Sequence, residues 1–432
     1  ELKNFLKNTI FLIPELKKEI KITRENYNSI LKKNTILSDE LVSIQQAKNL
    51  VNQRIFPKTQ FLTLSFDEIQ IDTKSLSFRE ITYLNAIDKK RDGKKTKPFY
   101  VENINDKVIV TTFNGDILIY EIFDFVNKKF KNTFYIKNNL PNGITVLDSL
   151  LFKESFFISY IDRSKGCKHL KIVRAELNFI KLDFKNFYEQ GEKNINPEKC
   201  EAFSLGGKLE IINKLKDPSL IVSAVNMDEI DLYETLKDQF NENLLQKIIH
   251  ILSINLKSKE VSVISNGHRN PQGLFVNKKN IILSTEHGPR GGDEINKIIS
   301  GKNYGWPIAS YGENYNDNYE EEDEFVYLKN HSNSNFEEPI YSFVPSIGIS
   351  QLIEVPKNFS KRWQNNYLIT SLRKKSIFRV TFDKKFSRVI SMEQINIGKR
   401  IRDISYNKNG KFFTLALEDG EPSIGIMKPK IN

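Results

Sequence analysis

Two Asn-Gly dipeptides, each set between short apolar stretches, constrain this chain more than any other feature. Asn114-Gly115 separates Lys107–Thr112 from Asp116–Ile122, and Asn409-Gly410 separates Asp403–Tyr406 from Phe412–Leu417. Both central residues of a type I′ turn need positive φ, which Asn and Gly adopt at least cost, so each dipeptide marks a tight β-hairpin. The same pattern pairs Phe156–Ile161 with Leu170–Leu177, and Leu209–Ile212 with Leu220–Ala224 across Asp217-Pro218. It also pairs Leu274–Val276 with Ile281–Thr285, while Phe61–Ile71 alternates apolar and polar residues and reads as one strand. Hairpins at this spacing over about 370 residues imply a repeated all-β unit. A propeller with blades of ~40–60 residues accommodates them, whereas a sandwich of that size would be unusual.

Residues 1–60 follow a different period. Leu2, Phe5, Leu6 and Ile10 recur at helical spacing, then Leu16, Ile20, Tyr27, Ile30 and Leu31 after Pro14, and 39–51 contains neither Gly nor Pro. A helical N-terminal segment is expected there, followed by a β-propeller over 61–432. The segment shows no chemistry of its own, and packing, tethering or contact with a protein partner is its expected use. Two stretches break the β rhythm: 229–246 is helical in character, and 315–335 is acidic and polar, hence a surface excursion.

Aromatic residues make up 11% of the chain, with 30 Phe and 16 Tyr, so a large core can form and disorder is excluded for most of the length. The net charge of +11 does not imply nucleic-acid binding, because the lysines are spread along the chain and mixed with acids such as Glu320–Asp323. No apolar run reaches the ~18–20 residues that span a bilayer. The chain starts at Glu1 rather than Met, so a removed leader, anchor or boundary is expected, and with it a periplasmic or otherwise extracytoplasmic setting, with a membrane tether before processing as one form of it. In that setting Cys167 and Cys200, the two cysteines, are expected to form a disulfide, with two buried thiols as the alternative. No GxGxxG follows a strand, which disfavours a nicotinamide enzyme.

Unusual residues are densest between Gly267 and Tyr315, which contains GHRNPQGL, STEHGPRGGDEINKI and GKNYGWPIASYGENY. Glycines Gly288, Gly291 and Gly292 beside Asp293 and Glu294 would let the backbone wrap a hard cation, although in isolation a tight loop with a surface acid pair is the better reading of such a run. Together the three motifs resemble the signature of the pyrroloquinoline-quinone (PQQ)-dependent glucose/sorbosone and aldose sugar dehydrogenases. The resemblance continues in YLITSLRKKSIFRV and GKRIRDI, weakens over residues 60–210 and does not cover the N-terminal segment. It implies a six-bladed propeller that uses PQQ and calcium to oxidise an aldose, passing electrons to an external acceptor.

Residue by residue, the resemblance implies cofactor contacts at Arg269, Asn270, His287, Arg373, Arg400 and Arg402, with Arg373 where the family usually has lysine. Arginine suits a ligand bearing three carboxylates, because its planar fork meets a carboxylate bidentately. Carbonyls of Gly288 and Pro289 would hold a cofactor-bound calcium. Asp293, Glu294 and the Tyr304 carbonyl would hold a structural one.

The sequence departs from the family at the base. A histidine in H-x-G-G-[RK]-L takes the proton of the anomeric hydroxyl, but this chain reads SLGGKL and places Ser204 there. A serine hydroxyl has no accessible basic form near neutral pH without an activating partner. An expected Gly-Asp is replaced by Val225 and Asn226, and an expected glutamine by Pro141. Two expectations follow: an enzyme in which His287 takes over as base, or a catalytically degenerate propeller that acts as a ligand-binding or interaction module.

Overall fold

The computed structural model describes residues 17–28, 61–65, 69–75, 98–121, 133–162, 169–190, 206–213, 217–224, 249–313, 327–419 and 422–429. The chain divides into two compact units, Glu1–Lys58 and Thr59–Asn432. In the first, residues 17–28 form an α-helix whose side chains, including Ile20 and Tyr27, are exposed. The other N-terminal positions singled out for helical spacing lie outside the described residues, as do 229–246 and both cysteines.

The second unit is a six-bladed β-propeller. Blade 1 is built on Phe99–Ile104, Lys107–Thr112, Ile117–Glu121 and Thr133–Asn138; blade 2 on Thr145–Phe152, Ser155–Asp162, His169–Glu176 and Lys185–Glu189. Blade 3 comprises Leu209–Ile212, Ser219–Ala224, Ile249–Asn255 and Val261–His268, and blade 4 comprises Pro271–Val276, Ile282–Glu286, Asp293–Ile298 and Tyr341–Phe343. Blade 5 runs through Ile349–Glu354, Tyr367–Ser371, Ser376–Phe382 and Val389–Asn396. Blade 6 joins the chain's last strands, Ile401–Asn407, Phe412–Leu417 and Ser423–Pro429, to two early ones, Ile69–Ser75 and Phe61–Ser65. Phe61–Ile71 is therefore not one strand. Its two halves turn back on each other as a hairpin, with Phe61 opposite Lys74, so that the second half can pair with Ser423–Pro429 and close the ring.

The first strand of each blade forms one edge of its sheet, and these six edge strands touch in cyclic order around the axis. Period-two alternation gives each strand two buried faces. In blade 1, Phe99, Val101, Val108 and Val110 pack toward blade 6, while Tyr100, Ile109, Ile117 and Ile119 pack toward blade 2. The core is thus six apolar layers, one between each pair of neighbouring sheets. Double burial explains why Val108-Ile109-Val110 is a continuous apolar run and not an alternating one.

An edge strand at the axis has backbone groups with no ladder partner, and leaving them buried and unpaired is costly. Neighbouring blades satisfy them with side chains. Asp403 Oδ2 accepts from Val101 N at 2.8 Å, and Asp148 Oδ2 accepts from Leu209 N at 2.9 Å. Ser159 Oγ donates to Gly207 O at 2.5 Å, and Ser350 Oγ donates to Ile401 O at 2.6 Å. Replacing Asp403 with Ala orphans the Val101 N–H, and we expect the unfolding free energy from urea titration to fall by about 2 kcal/mol.

Candidate active site at the mouth of the ring

In an up-and-down blade the first strand starts at the same end of the ring where the second strand turns into the third. That end gathers the turn Glu286–Asp293 of blade 4, the turn Ser371–Ser376 of blade 5 and the turn Leu417–Ser423 of blade 6. It also gathers the starts of the axial strands, which carry Tyr100, Asp148, Asn270, Gln272 and Arg402. The sequence motifs, far apart in the chain, meet here for this topological reason.

A continuous polar chain links blades 4 and 6. The guanidinium of Arg269 lies 5.1 Å from the Trp306 ring centroid and donates from Nη1 to His287 O at 3.0 Å. The Asn270 amide lies 3.5 Å from His287 Nδ1 and accepts from Gln272 Nε2 at 2.9 Å. Gln272 in turn accepts from Arg402 Nη1 at 3.0 Å. Arg402 Nε donates to the buried Glu418 at 2.6 Å, and Arg400 Nη2 stands 3.7 Å from the same carboxylate. Of the predicted cofactor residues, Arg269, Asn270, His287, Arg400 and Arg402 are brought together. Arg373 occupies the adjoining turn with an exposed side chain, its backbone packed on Gly348.

His287 Nε2 donates to Ile349 O at 2.6 Å, which fixes the tautomer and leaves Nδ1 as the acceptor. Burial, reinforced by the positive charges of Arg402 and Arg269, pulls its pKa from 6.5 to about 4 despite the opposing pull of Asp293. His287 is therefore neutral near pH 7. The neighbouring His268 has a structural place: fully buried, it bridges Ser265 Oγ at 2.8 Å and Glu286 Oε1 at 2.7 Å and stacks on Tyr304. Burial would raise Glu286, yet the facing His268 and Asn296 hold it below the usual carboxylate range.

The predicted metal residues divide. Asp293 already accepts hydrogen bonds from Gly288 N at 3.2 Å, Ser346 Oγ at 2.8 Å and Ile349 N at 2.9 Å, so it braces the turn against blade 5. Glu294 accepts from Asn296 Nδ2 at 3.2 Å, and burial together with the charge of Glu286 raises it to about 8. The Tyr304 hydroxyl is engaged by Lys297 O and Ile299 N. Around Gly288 the turn is so tight that a Cβ would lie 2.2 Å from Gly292 O and 2.3 Å from Gly291 O, so backbone carbonyls converge there. Among the described residues no three His, Cys, Asp or Glu side chains form a metal-binding group.

Ser204, Val225 and Asn226 lie outside the described residues, and Pro141 is exposed. Residues not singled out beforehand also belong to the mouth. Gln272 stood inside a quoted motif, and Glu418 ends an apolar strand where a buried charge demands a partner. Lys208 pairs with Asp148 at 3.0 Å, both almost fully buried, and its ammonium lies 4.6 Å from the Tyr100 ring centroid. Burial, offset by Lys208, raises Asp148 to about 6.

The fold thus gathers fixed cations, an amide and a neutral histidine at one end of a six-bladed ring. Residues 96–424 match the glucose/sorbosone dehydrogenase family, and the chain belongs to that family. It is similar to the aldose sugar dehydrogenase YliI of Escherichia coli (strain K12), 34% identical over 159 residues, or 36% of this chain and 40% of that protein. The matched stretch spans about two fifths of the length of such curated relatives. Among solved structures, it is similar to the soluble aldose sugar dehydrogenase from Escherichia coli in the apo-form, at 21% identity and a TM-score of 0.56 over 78% of this chain and 97% of that one. It is also similar to the PQQ-bound aldose sugar dehydrogenase from Streptomyces coelicolor, at 15% identity and a TM-score of 0.53 over 78% and 95%. At these identities the structural likeness shows the fold. No helix among the described residues is long and apolar enough to cross a membrane.

The tautomer assignment carries a pH signature. Between pH 6.5 and about 4 the unfolded His287 is protonated while the folded one is not, so stability is lost as pH falls through that window. The loss amounts to about 3 kcal/mol at most, and we expect His287→Gln to flatten the corresponding slope in urea unfolding measured from pH 7 to 4.

Proposed function

We propose that this chain binds PQQ at the arginine-lined mouth and serves as a sugar oxidoreductase of its family, acting outside the cytoplasm on an aldose. The observation that carries this reading is the convergence of Arg269, Asn270, His287, Arg400 and Arg402, from blades 4 and 6, in one polar chain. The fit to a planar polycarboxylate is supported by Arg400 Nε, a buried donor with no hydrogen-bond partner. When bound, the ortho-quinone supplies the acceptor for the sugar's hydride.

The chain's own residues would orient and bind. Arg269, Arg400 and the exposed Arg373 are the cations for ligand carboxylates, and Asn270 is a polar partner for a carbonyl edge. His287 Nδ1 accepts a hydrogen bond from a sugar hydroxyl. With its pKa at about 4, though, it lies well below the neutral range where a general base works best. For calcium, the carbonyls of Gly288 and Pro289 are the proposed donors at the cofactor. Glu294 with the Tyr304 carbonyl is proposed for a structural ion, supported by the negative charge that Glu286, Asp293 and Glu338 gather around Glu294. Asp293 is less suited, since its carboxylate is already taken by three donors.

Ser204 favours a second reading, in which binding outlasts catalysis. Titrating the protein with PQQ and calcium tests the binding that both readings share, and dye-linked activity separates them. We expect a saturable change in quinone absorbance, and its absence would defeat the proposal. Dye-linked aldose oxidation should be weak in the wild type and rise at least ten-fold in Ser204→His. If calcium occupies the Glu294 site, chelation should lower the melting temperature of the wild type by several degrees and leave Glu294→Gln unmoved.

A further inference from the structure

The bore beneath the mouth holds carboxylates and cations in unequal number. Lys208, just ahead of the axial strand of blade 3, sends its ammonium to Asp148 Oδ1 of blade 2 at 3.0 Å, and Asp148 Oδ2 accepts from Leu209 N at 2.9 Å. Asp403 of blade 6 is held by backbone alone: Oδ2 accepts from Val101 N of blade 1 at 2.8 Å and Oδ1 from Ile404 N at 2.9 Å. It forms no salt bridge among the described residues, and the positive charges that act on it are those of Lys208 and, more weakly, Arg402. Lys208, Asp148 and Asp403 are each at most 5% exposed. One ammonium thus serves two carboxylates, and ionising both would seal an unbalanced negative charge away from water.

The groups around this triad do not correct the imbalance. Blade 1 contributes Tyr100, whose ring centroid lies 4.6 Å from the ammonium, and the partly exposed Glu102; blade 3 contributes Glu210. On blade 6, Arg402 is paired with Glu418, which Arg400 also approaches at 3.7 Å. The axial strand of blade 4, Pro271–Val276, has no titratable residue, and that of blade 5 has only Glu354, at its far end. In keeping with the excess of acids, burial raises Asp148 to about 6 and Glu210 to about 7, and it raises Asp403 and Glu102 as well.

We propose that Asp148, Lys208 and Asp403 form a proton-binding lock on the ring: the two carboxylates share one proton as well as one ammonium, and the ring is most stable when that proton is bound. Both acids are also braces, since Asp403 ties blade 6 to blade 1 and Asp148 ties blade 2 to blade 3. The lock therefore spans four blades and needs no ligand at the mouth. An aspartate of the unfolded chain gives up its proton near pH 3.8, whereas Asp148 in the folded ring does so near 6. Stability from the bound proton is complete below about pH 4 and is lost as pH rises through about 6. His287 titrates in the opposite sense over an overlapping range, so the readout is a ratio of wild type to variant, in which His287 cancels.

Asp148→Asn keeps an acceptor for Leu209 N and leaves Lys208 and Asp403 as a balanced pair. In urea unfolding, the ratio of the wild-type unfolding constant to that of Asp148→Asn should rise about a hundred-fold between pH 4 and pH 7.5. A ratio that does not move with pH overturns the proposal. Lys208→Met removes the cation and leaves both carboxylates to be neutralised by protons. Its melting temperature should fall well below that of wild type at pH 7.5 and regain most of the difference at pH 5, a recovery that lost packing alone would not give. An equal deficit at the two pH values overturns the proposal. Should Asp148→Asn fail to unfold cooperatively, Asp403→Asn takes its place with the same expected rise, because a proton shared by two coupled acids is lost with either one.

Discussion

Six sheets can share one axis only if each innermost strand finds partners for the backbone groups on its free edge. Here the partners come from the preceding blade of the ring: Asp403 for Val101, Asp148 for Leu209, Asp293 for Ile349. Each bond joins one sheet to its neighbour at a fixed height, so the starts of the axial strands are held level with one another. The ring itself is closed by Ile69–Ser75 pairing with Ser423–Pro429, which makes the last blade a composite of both ends of the propeller. Apolar layers between the sheets supply the cohesion, about 2–3 kcal/mol for each fully buried large side chain such as Phe413 or Phe156. The polar braces supply the register that a site assembled from several blades requires.

Holding several cations together at the mouth sets the second constraint. Guanidinium and ammonium groups taken out of water are tolerated only when paired and hydrogen-bonded. Each buried cation here has a partner: Lys208 has Asp148, Arg402 has Glu418 and Gln272, and Arg269 has the His287 carbonyl and the Trp306 face. These partners fix the side chains before any ligand arrives, which lowers the ordering cost of binding.

Much of the fold could be read from the chain because β-hairpins are local. Asn114-Gly115 and Asn409-Gly410 do join strands, and Leu209–Ile212 and Phe412–Leu417 match their observed limits. The misreading of Phe61–Ile71 as one strand has a physical source. Its alternation is continuous through the turn, and only pairing with residues some 350 positions later makes a break there useful. At the site, motif residues such as Arg269 and Arg402 were legible through family resemblance. Glu418, Asp148 and Lys208 were not, since a carboxylate at a strand end becomes informative only once burial and a facing cation are seen. His268 and His287 illustrate the same limit. Both are histidines in one motif, and only their hydrogen bonds assign one to the frame and the other to the mouth.

The polar chain of the mouth and the glycine pair Gly206-Gly207 are held in this fold by different contacts. The arginines and the amide stand on axial strands or the turn beside them, fixed by the ring's own braces. Ser204 instead precedes Gly206 and Gly207, whose φ values of +94° and +86° and tight contacts admit no side chain. A Cβ at Gly207 would lie 2.3 Å from the Leu147 side chain, and one at Gly206 would lie 2.7 Å from Ser223 O. Gly207 is thus constrained by packing against Leu147 of blade 2 and Gly206 by the backbone of its own blade, while Lys208 is held by its ion pair with Asp148. Losing Arg402 would leave the buried Glu418 with only the 3.7 Å contact from Arg400. Stability alone therefore favours keeping Arg402 and its polar chain.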